Sequence, residues 1–164
     1  MTLHWETRPP FRIAVVGGAK ASRVEYDLAQ DLGKQLAAAG AIVVCGGGGG
    51  VMKAVAQGAS EVGGLVIGIL PGSDPKSANR WITIPLATGM GEARNALVVQ
   101  VAEVVIAVGG EWGTLSEIAL ALKIGLLVGT LGTPPAEGLD LPGLRDPIEA
   151  ARWALEQAAV FREN

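Results

Sequence analysis

Two residues of this chain have the types and setting for chemistry on an anionic ligand: Arg94, within GMGEARNALVVQVAEVV (residues 89–105), and Glu117, within AVGGEWGTLSEIALALKIG (residues 107–125). A guanidinium presents a planar fork that suits the oxygens of a phosphate or carboxylate. Arg94, followed by Asn95, stands near the start of a helix and faces a ligand crevice if the strands around it form a parallel sheet; the alternative is a solvent-facing charge paired with Glu92. Glu117 also has two readings on spacing alone. It is an active-site carboxylate, or it completes with Thr114 a T-x-x-E capping box in which each side chain satisfies a backbone amide of a first helical turn.

Around these residues lie glycine-rich loops. VVCGGGGGVMKAVAQGA (residues 43–59) runs five glycines together between an apolar run and a helix. Gly46, Gly47, Gly48 and Gly49 can bring backbone amides close to a phosphate at a helix N-terminus. A tight turn is the alternative reading, although five consecutive glycines cost more unfolded-state entropy than a turn requires. Gly109, Gly110, Gly113 and Thr114 offer a second set of amides and a hydroxyl, and the absence of a following lysine excludes a Walker loop. Gly17 and Gly18 close the first strand, with Lys20 either reaching a phosphate or simply solvated. Cys45 reads as a small buried hydrophobe, Trp112 as a residue that stacks on a base or packs, and His4 has no assigned role.

The elements that must position these groups follow from hydrophobic period. Short apolar runs ending in glycine read as strands buried on both faces: Arg12–Gly17, Ala41–Cys45, Leu65–Leu70, Val104–Val108 and Leu126–Gly129. Trp81–Ile84, bounded by Pro85, is a further short strand. Helices fall between them: from a Ser22 cap with Val24, Leu28, Leu32, Leu36 and Ala39 on one face and Gly40 as the stop; through Val51, Val55 and Ala59; over Glu92–Ala102; and over Leu115–Ile124. Residues 130–146 read as an irregular Pro/Gly-rich connection before a last helix at Pro147–Phe161, and residues 1–11 as an N-terminal extension. This alternation predicts one Rossmann-like domain over residues 1–164, a doubly wound, mostly parallel α/β sheet with helices on both faces and a ligand crevice at its switch point.

A net charge of −3 over 164 residues provides no basic field for nucleic acid. One cysteine and one histidine hold neither a disulfide nor a zinc ion. The N-terminus lacks the features of a signal peptide, and apolar runs stop well short of a bilayer span, so the expectation is a cytoplasmic protein with no membrane partner. Ile118–Ile124 is apolar on nearly every side, which points to a homodimer or higher homo-oligomer.

Together, the three glycine and arginine segments resemble the LONELY GUY family and its relatives once called lysine decarboxylases. The family motif P-G-G-x-G-T-x-x-E is matched by Gly109, Gly110, Gly113, Thr114 and Glu117, with Val108 at the proline position; Arg94 matches the family arginine and Gly46–Gly49 the first glycine motif. The resemblance covers residues 12–129. It implies, for cytokinin-activating members, hydrolysis of a nucleoside monophosphate to free base and ribose 5-phosphate without a metal, Arg94 anchoring substrate and Glu117 stabilising charge at the ribose or orienting water. Those members carry lysine after the arginine, where this chain has Asn95. The ARN form is closer to a second branch, similar to molybdenum cofactor carriers, which implies binding and shielding of a pterin phosphate. The expected role is therefore a carrier of a phosphate-bearing ligand, a nucleotide or molybdopterin-type molecule, with the phosphoribohydrolase as the alternative. Nothing resembles a pyridoxal phosphate site.

Overall fold

The computed structural model describes residues 9–164; His4 and most of the N-terminal extension lie outside them. The chain runs β1 (Arg12–Gly17), α1 (Arg23–Ala38), β2 (Ile42–Cys45), α2 (Val51–Glu61), β3 (Val66–Leu70), β4 (Ile84–Ala87), α3 (Asn95–Gln100), β5 (Val104–Val108), α4 (Trp112–Lys123), β6 (Leu127–Leu131), β7 (Gly143–Leu144) and α5 (Pro147–Glu163). The seven strands form one sheet in the order β4-β3-β2-β1-β5-β6-β7, and every pairing is parallel.

The continuous apolar strands have the meaning expected of them. All five residues of β5 are buried; Val104, Ile106 and Val108 face the core under α1, α2 and α5, whereas Val105 and Ala107 face the core under α3 and α4. Period-two alternation thus serves two helical layers at once. In α1, Ser22 and Glu25 form the capping box, and Asp146 accepts from the Glu149 amide at 2.8 Å to cap α5, with Pro147 in its first turn. Gly33 of α1 and Gly58 of α2 face each other's backbones: a Cβ at either position would overlap the carbonyl oxygen of Val55 or Gln30 respectively. They are packing glycines, which let the two helices cross in close contact.

Several boundaries differ from the sequence reading. Val24 is exposed and lies outside the α1 core face. The fourth strand is Ile84–Ala87, not Trp81–Ile84, and Pro85 lies within it. This is tolerable because β4 is an edge strand. It pairs with β3 alone, so its other side asks for no N–H donor. The helix expected over Glu92–Ala102 begins as a 3-10 turn, Gly91–Arg94, and continues as α3. The irregular stretch after Thr130 contains the end of β6 and the two-residue β7, whose Gly143 and Leu144 pair with Thr130 and Leu131.

The amino ends of the central strands are closed by an ion cluster. Glu103, immediately before β5, accepts the Arg12 backbone amide at 2.8 Å and the Arg162 Nε at 2.5 Å, with the Arg12 guanidinium at 3.6 Å. It ties β1, β5 and the end of α5 together.

Candidate functional site

At the opposite, carboxyl ends of the strands, a cavity of about 220 Å³ opens beside the β1–β5 junction, where the strand order reverses. This is the switch point at which open α/β sheets bind ligands. Three segments wall it: Val16–Ala19 at the end of β1, Gly46 and Met52 around the start of α2, and Glu92, Arg94, Asn95, Glu111, Gly113, Thr114 and Glu117 from the α3 and α4 side. Of the residues singled out in the sequence, Gly17, Gly18, Gly46, Arg94, Asn95, Gly113, Thr114 and Glu117 meet here.

Arg94 is buried, 8% exposed. Its Nε donates to the carbonyl of Ile69 at the end of β3 at 2.9 Å, and its Nη1 donates to Asn95 Oδ1. Among the described residues the one carboxylate within ion-pair range is Glu92, at 3.9 Å. Arg94 is therefore not the solvent-facing charge of the alternative reading. Its Nη2 lies over Gly46, where a Cβ would come within 2.9 Å of it, so the absence of a side chain at Gly46 leaves that donor open. Asn95 is also buried; its Nδ2 donates to Ser116 Oγ at 3.2 Å, and Ser116 Oγ donates to the Gly113 carbonyl at 2.7 Å.

Glu117 is not a cap. Helix α4 begins at Trp112 with Glu111 in the cap position, which places Thr114 and Glu117 inside the helix, three residues apart on the face that looks into the cavity. Thr114 lies against Gly110, held at φ +107°, a conformation that glycine adopts freely. Glu117 is 7% exposed. Burial pushes its carboxyl up to about 8; the Arg94 charge opposes this and the Glu92 charge adds to it. At neutral pH it is largely a neutral acid and can donate a hydrogen bond.

Lys20, Gly47, Gly48, Gly49, Gly109 and Gly110 do not line the cavity. The Asn79 backbone amide donates to the Gly47 carbonyl at 2.9 Å and its Nδ2 donates to the Gly48 carbonyl at 2.9 Å, binding the middle of the glycine run to the loop after β3. Gly109 abuts Glu25. The loop also corrects the motif match: Glu111 and Trp112 both stand between Gly110 and Gly113, where P-G-G-x-G-T-x-x-E has a single residue. Gly113, Thr114 and Glu117 keep their register, and the two upstream glycines are displaced by one.

Val16, Ala19, Met52 and Glu111 join the site without having been marked in the sequence, and Glu92 had been marked only as a partner for Arg94. Position next to a glycine run was the available signal for Met52 and Glu111. Cys45 is buried, and burial foremost raises its thiol to about 12, in keeping with a small hydrophobe. Trp112 is 84% exposed and does not pack in the core. Among the described residues no cluster of His, Cys, Asp or Glu could hold a metal ion, and no helix is long and apolar enough to cross a membrane.

Fold and site define a doubly wound, all-parallel α/β protein with a crevice at its switch point that holds a buried arginine and a buried glutamate. The chain belongs to the SLOG cluster4 family, whose model matches residues 10–149. An Archaeoglobus fulgidus protein described as uncharacterized is 38% identical over 148 residues, 90% of this chain and 96% of its own length. Among solved structures, the molybdenum cofactor binding protein of Rippkaea orientalis is similar with a TM-score of 0.82 and 31% identity over 94% of this chain and 99% of its own. The molybdenum cofactor carrier protein of Chlamydomonas reinhardtii is similar with a TM-score of 0.82 and 34% identity over 93% and 99%.

Proposed function

We propose that this protein binds and shields a phosphate-bearing, molybdopterin-type ligand, acting as a carrier. The observation that carries the reading is the meeting, in one cavity, of the Arg94 guanidinium, the buried Glu117 and the glycines at the end of β1. Together they supply donors to anionic oxygens: one charged, one an acid that does not repel the anion, and backbone amides. Solved relatives described as molybdenum cofactor binding and carrier proteins support it. The protein needs no further cofactor on this reading, since the ligand is cargo. Native mass spectrometry of the purified protein is expected to show a co-purifying pterin phosphate, and nucleoside monophosphates are expected to be returned intact. A protein that binds neither a pterin phosphate nor any nucleoside monophosphate overturns it.

A second reading is favoured by the shared cavity of Arg94 and Glu117. A neutral carboxyl beside an anchored phosphate could protonate a departing base, as a nucleoside 5′-monophosphate phosphoribohydrolase requires. Release of free base from a nucleotide panel, lost in Glu117→Gln, would establish the hydrolase in place of the carrier.

The same helix supports self-association. Trp112, Leu115, Ala119 and Leu122, spaced i, i+3, i+7 and i+10, form an apolar ridge on α4 beside the buried stripe of Thr114, Ile118 and Ala121. Light scattering is expected to return a dimer or larger homo-oligomer, and a monomer at micromolar concentration would remove the ridge as an interface.

A further inference from the structure

We propose that Asn95 is a positioning residue, which holds the Arg94 guanidinium away from Glu117 and open to an anion while Ser116 ties that arrangement to the start of α4. The proposal rests on the reading above that Arg94 meets an anion in this cavity.

The geometry is a relay of donors and acceptors. Ile69 O and Asn95 Oδ1 take two edges of the guanidinium, Nε and Nη1. Asn95 can hold its Oδ1 toward Arg94 because its amide nitrogen is engaged by Ser116 Oγ, itself fixed on the Gly113 carbonyl. An asparagine flipped by half a turn would set an N–H against the guanidinium, and the Ser116 contact disfavours that flip. Among the described residues, Nη2, above Gly46, meets no protein acceptor.

Without the Asn95 acceptor the buried guanidinium turns to a carboxylate; Glu92, at 3.9 Å, is exposed and its attraction is screened by water, so the stronger partner is the buried Glu117. The groups facing Glu117 are Arg94 and Glu92 from the turn before α3, Cys45 at the end of β2, and Glu111 at the head of its own helix. The β1 segment contributes no ionisable side chain to the cavity wall. Arg94 is the one cation in this set, and Glu117 the one buried carboxylate. A direct Arg94–Glu117 pair would ionise Glu117 and consume the donor meant for the ligand. Asn95 is a neutral acceptor, so it can hold the arginine without competing through charge.

The test has a ligand-free arm and an anion arm. Carbon-13 NMR titration of Glu117 is expected to show its midpoint falling by about one pH unit or more in Asn95→Ala, as Arg94 closes on it. Asn95→Asp, which keeps the acceptor, is expected to show no fall. Orthophosphate affinity is expected to drop about tenfold in Asn95→Ala and to return in Asn95→Ala/Glu117→Gln to the level of Glu117→Gln alone, because the competing carboxylate is gone. A purely structural Asn95 would give no such restoration. An unchanged Glu117 midpoint in Asn95→Ala, or a loss of affinity that the double variant does not restore, overturns the proposal. If Asn95→Ala fails to fold, Ser116→Ala, at an exposed position, is expected to lower the midpoint in the same direction, and no change there overturns it too. Failure of orthophosphate to bind the unmodified protein would instead defeat the anion reading, and the midpoint shift would still judge the relay.

Discussion

Glu103, at the amino end of β5, and Glu117, beyond its carboxyl end, are both buried glutamates, 3% and 7% exposed, and the fold treats them in opposite ways. Glu103 accepts a backbone amide and an arginine, with a second arginine close by; its burial is matched by hydrogen bonds and opposite charge. Glu117 accepts no hydrogen bond from another described residue, and Arg94 beside it is directed to Ile69 and Asn95 instead. A partnered buried carboxylate ties elements together. An unpartnered one keeps its hydrogen-bonding capacity open, at a cost in stability.

The sharpest way to break this comparison is Glu103→Ala. It strands Arg162, whose side chain is 17% exposed, and is expected to cost about 3–5 kcal/mol in urea denaturation; a loss below about 1 kcal/mol would mean that the cluster is no lock. The converse is expected at Glu117. Its folded value of about 8 stands above the ordinary 4.5, so the folded state holds the proton where the unfolded state has released it. Stability contributed by this group is then present below about pH 4.5 and lost as pH rises through about 8. Glu117→Gln is expected to leave stability nearly unchanged near pH 4.5 and to raise it at pH 8 by on the order of 4 kcal/mol. An equal effect at both pH values would show that Glu117 is not held neutral.

Smaller still is the expected loss of binding in Arg94→Ala, about ten- to a hundredfold in orthophosphate affinity by calorimetry, the scale of one charged hydrogen bond. Unchanged affinity would remove Arg94 from the site. The smallest signal is at Cys45, the last residue of β2: its thiol, pushed up to about 12, is expected to resist a thiol reagent at pH 8 in the folded protein and to react fully in urea. Rapid labelling of the native protein would show that the site is open to solvent beneath Gly46.

The alternating elements were legible in the sequence because each is encoded by its own neighbours. Val104–Val108 is apolar without a break and so must lie between two layers, Gly40 ends α1, and Ser22 with Glu25 caps it. The same locality placed Arg94 and Glu117 next to glycine loops at strand ends. It could not separate T-x-x-E as a cap from T-x-x-E as a face of a helix already begun, because the residue that starts α4 is fixed by how the loop after β5 leaves the sheet. Nor could it place Pro85 in a strand, since that depends on β4 having no neighbour on one side, or foresee that Gly33 and Gly58 serve a helix crossing.

Composition, period and glycine position therefore determined a doubly wound α/β chain with a crevice at the carboxyl ends of the strands. The tertiary structure alone decided which carboxylate is satisfied and which is free. That difference rests on contacts such as Arg94 with Ile69 and Arg162 with Glu103, 25 and 59 residues apart, and no local pattern records which distant donor a buried acid will meet.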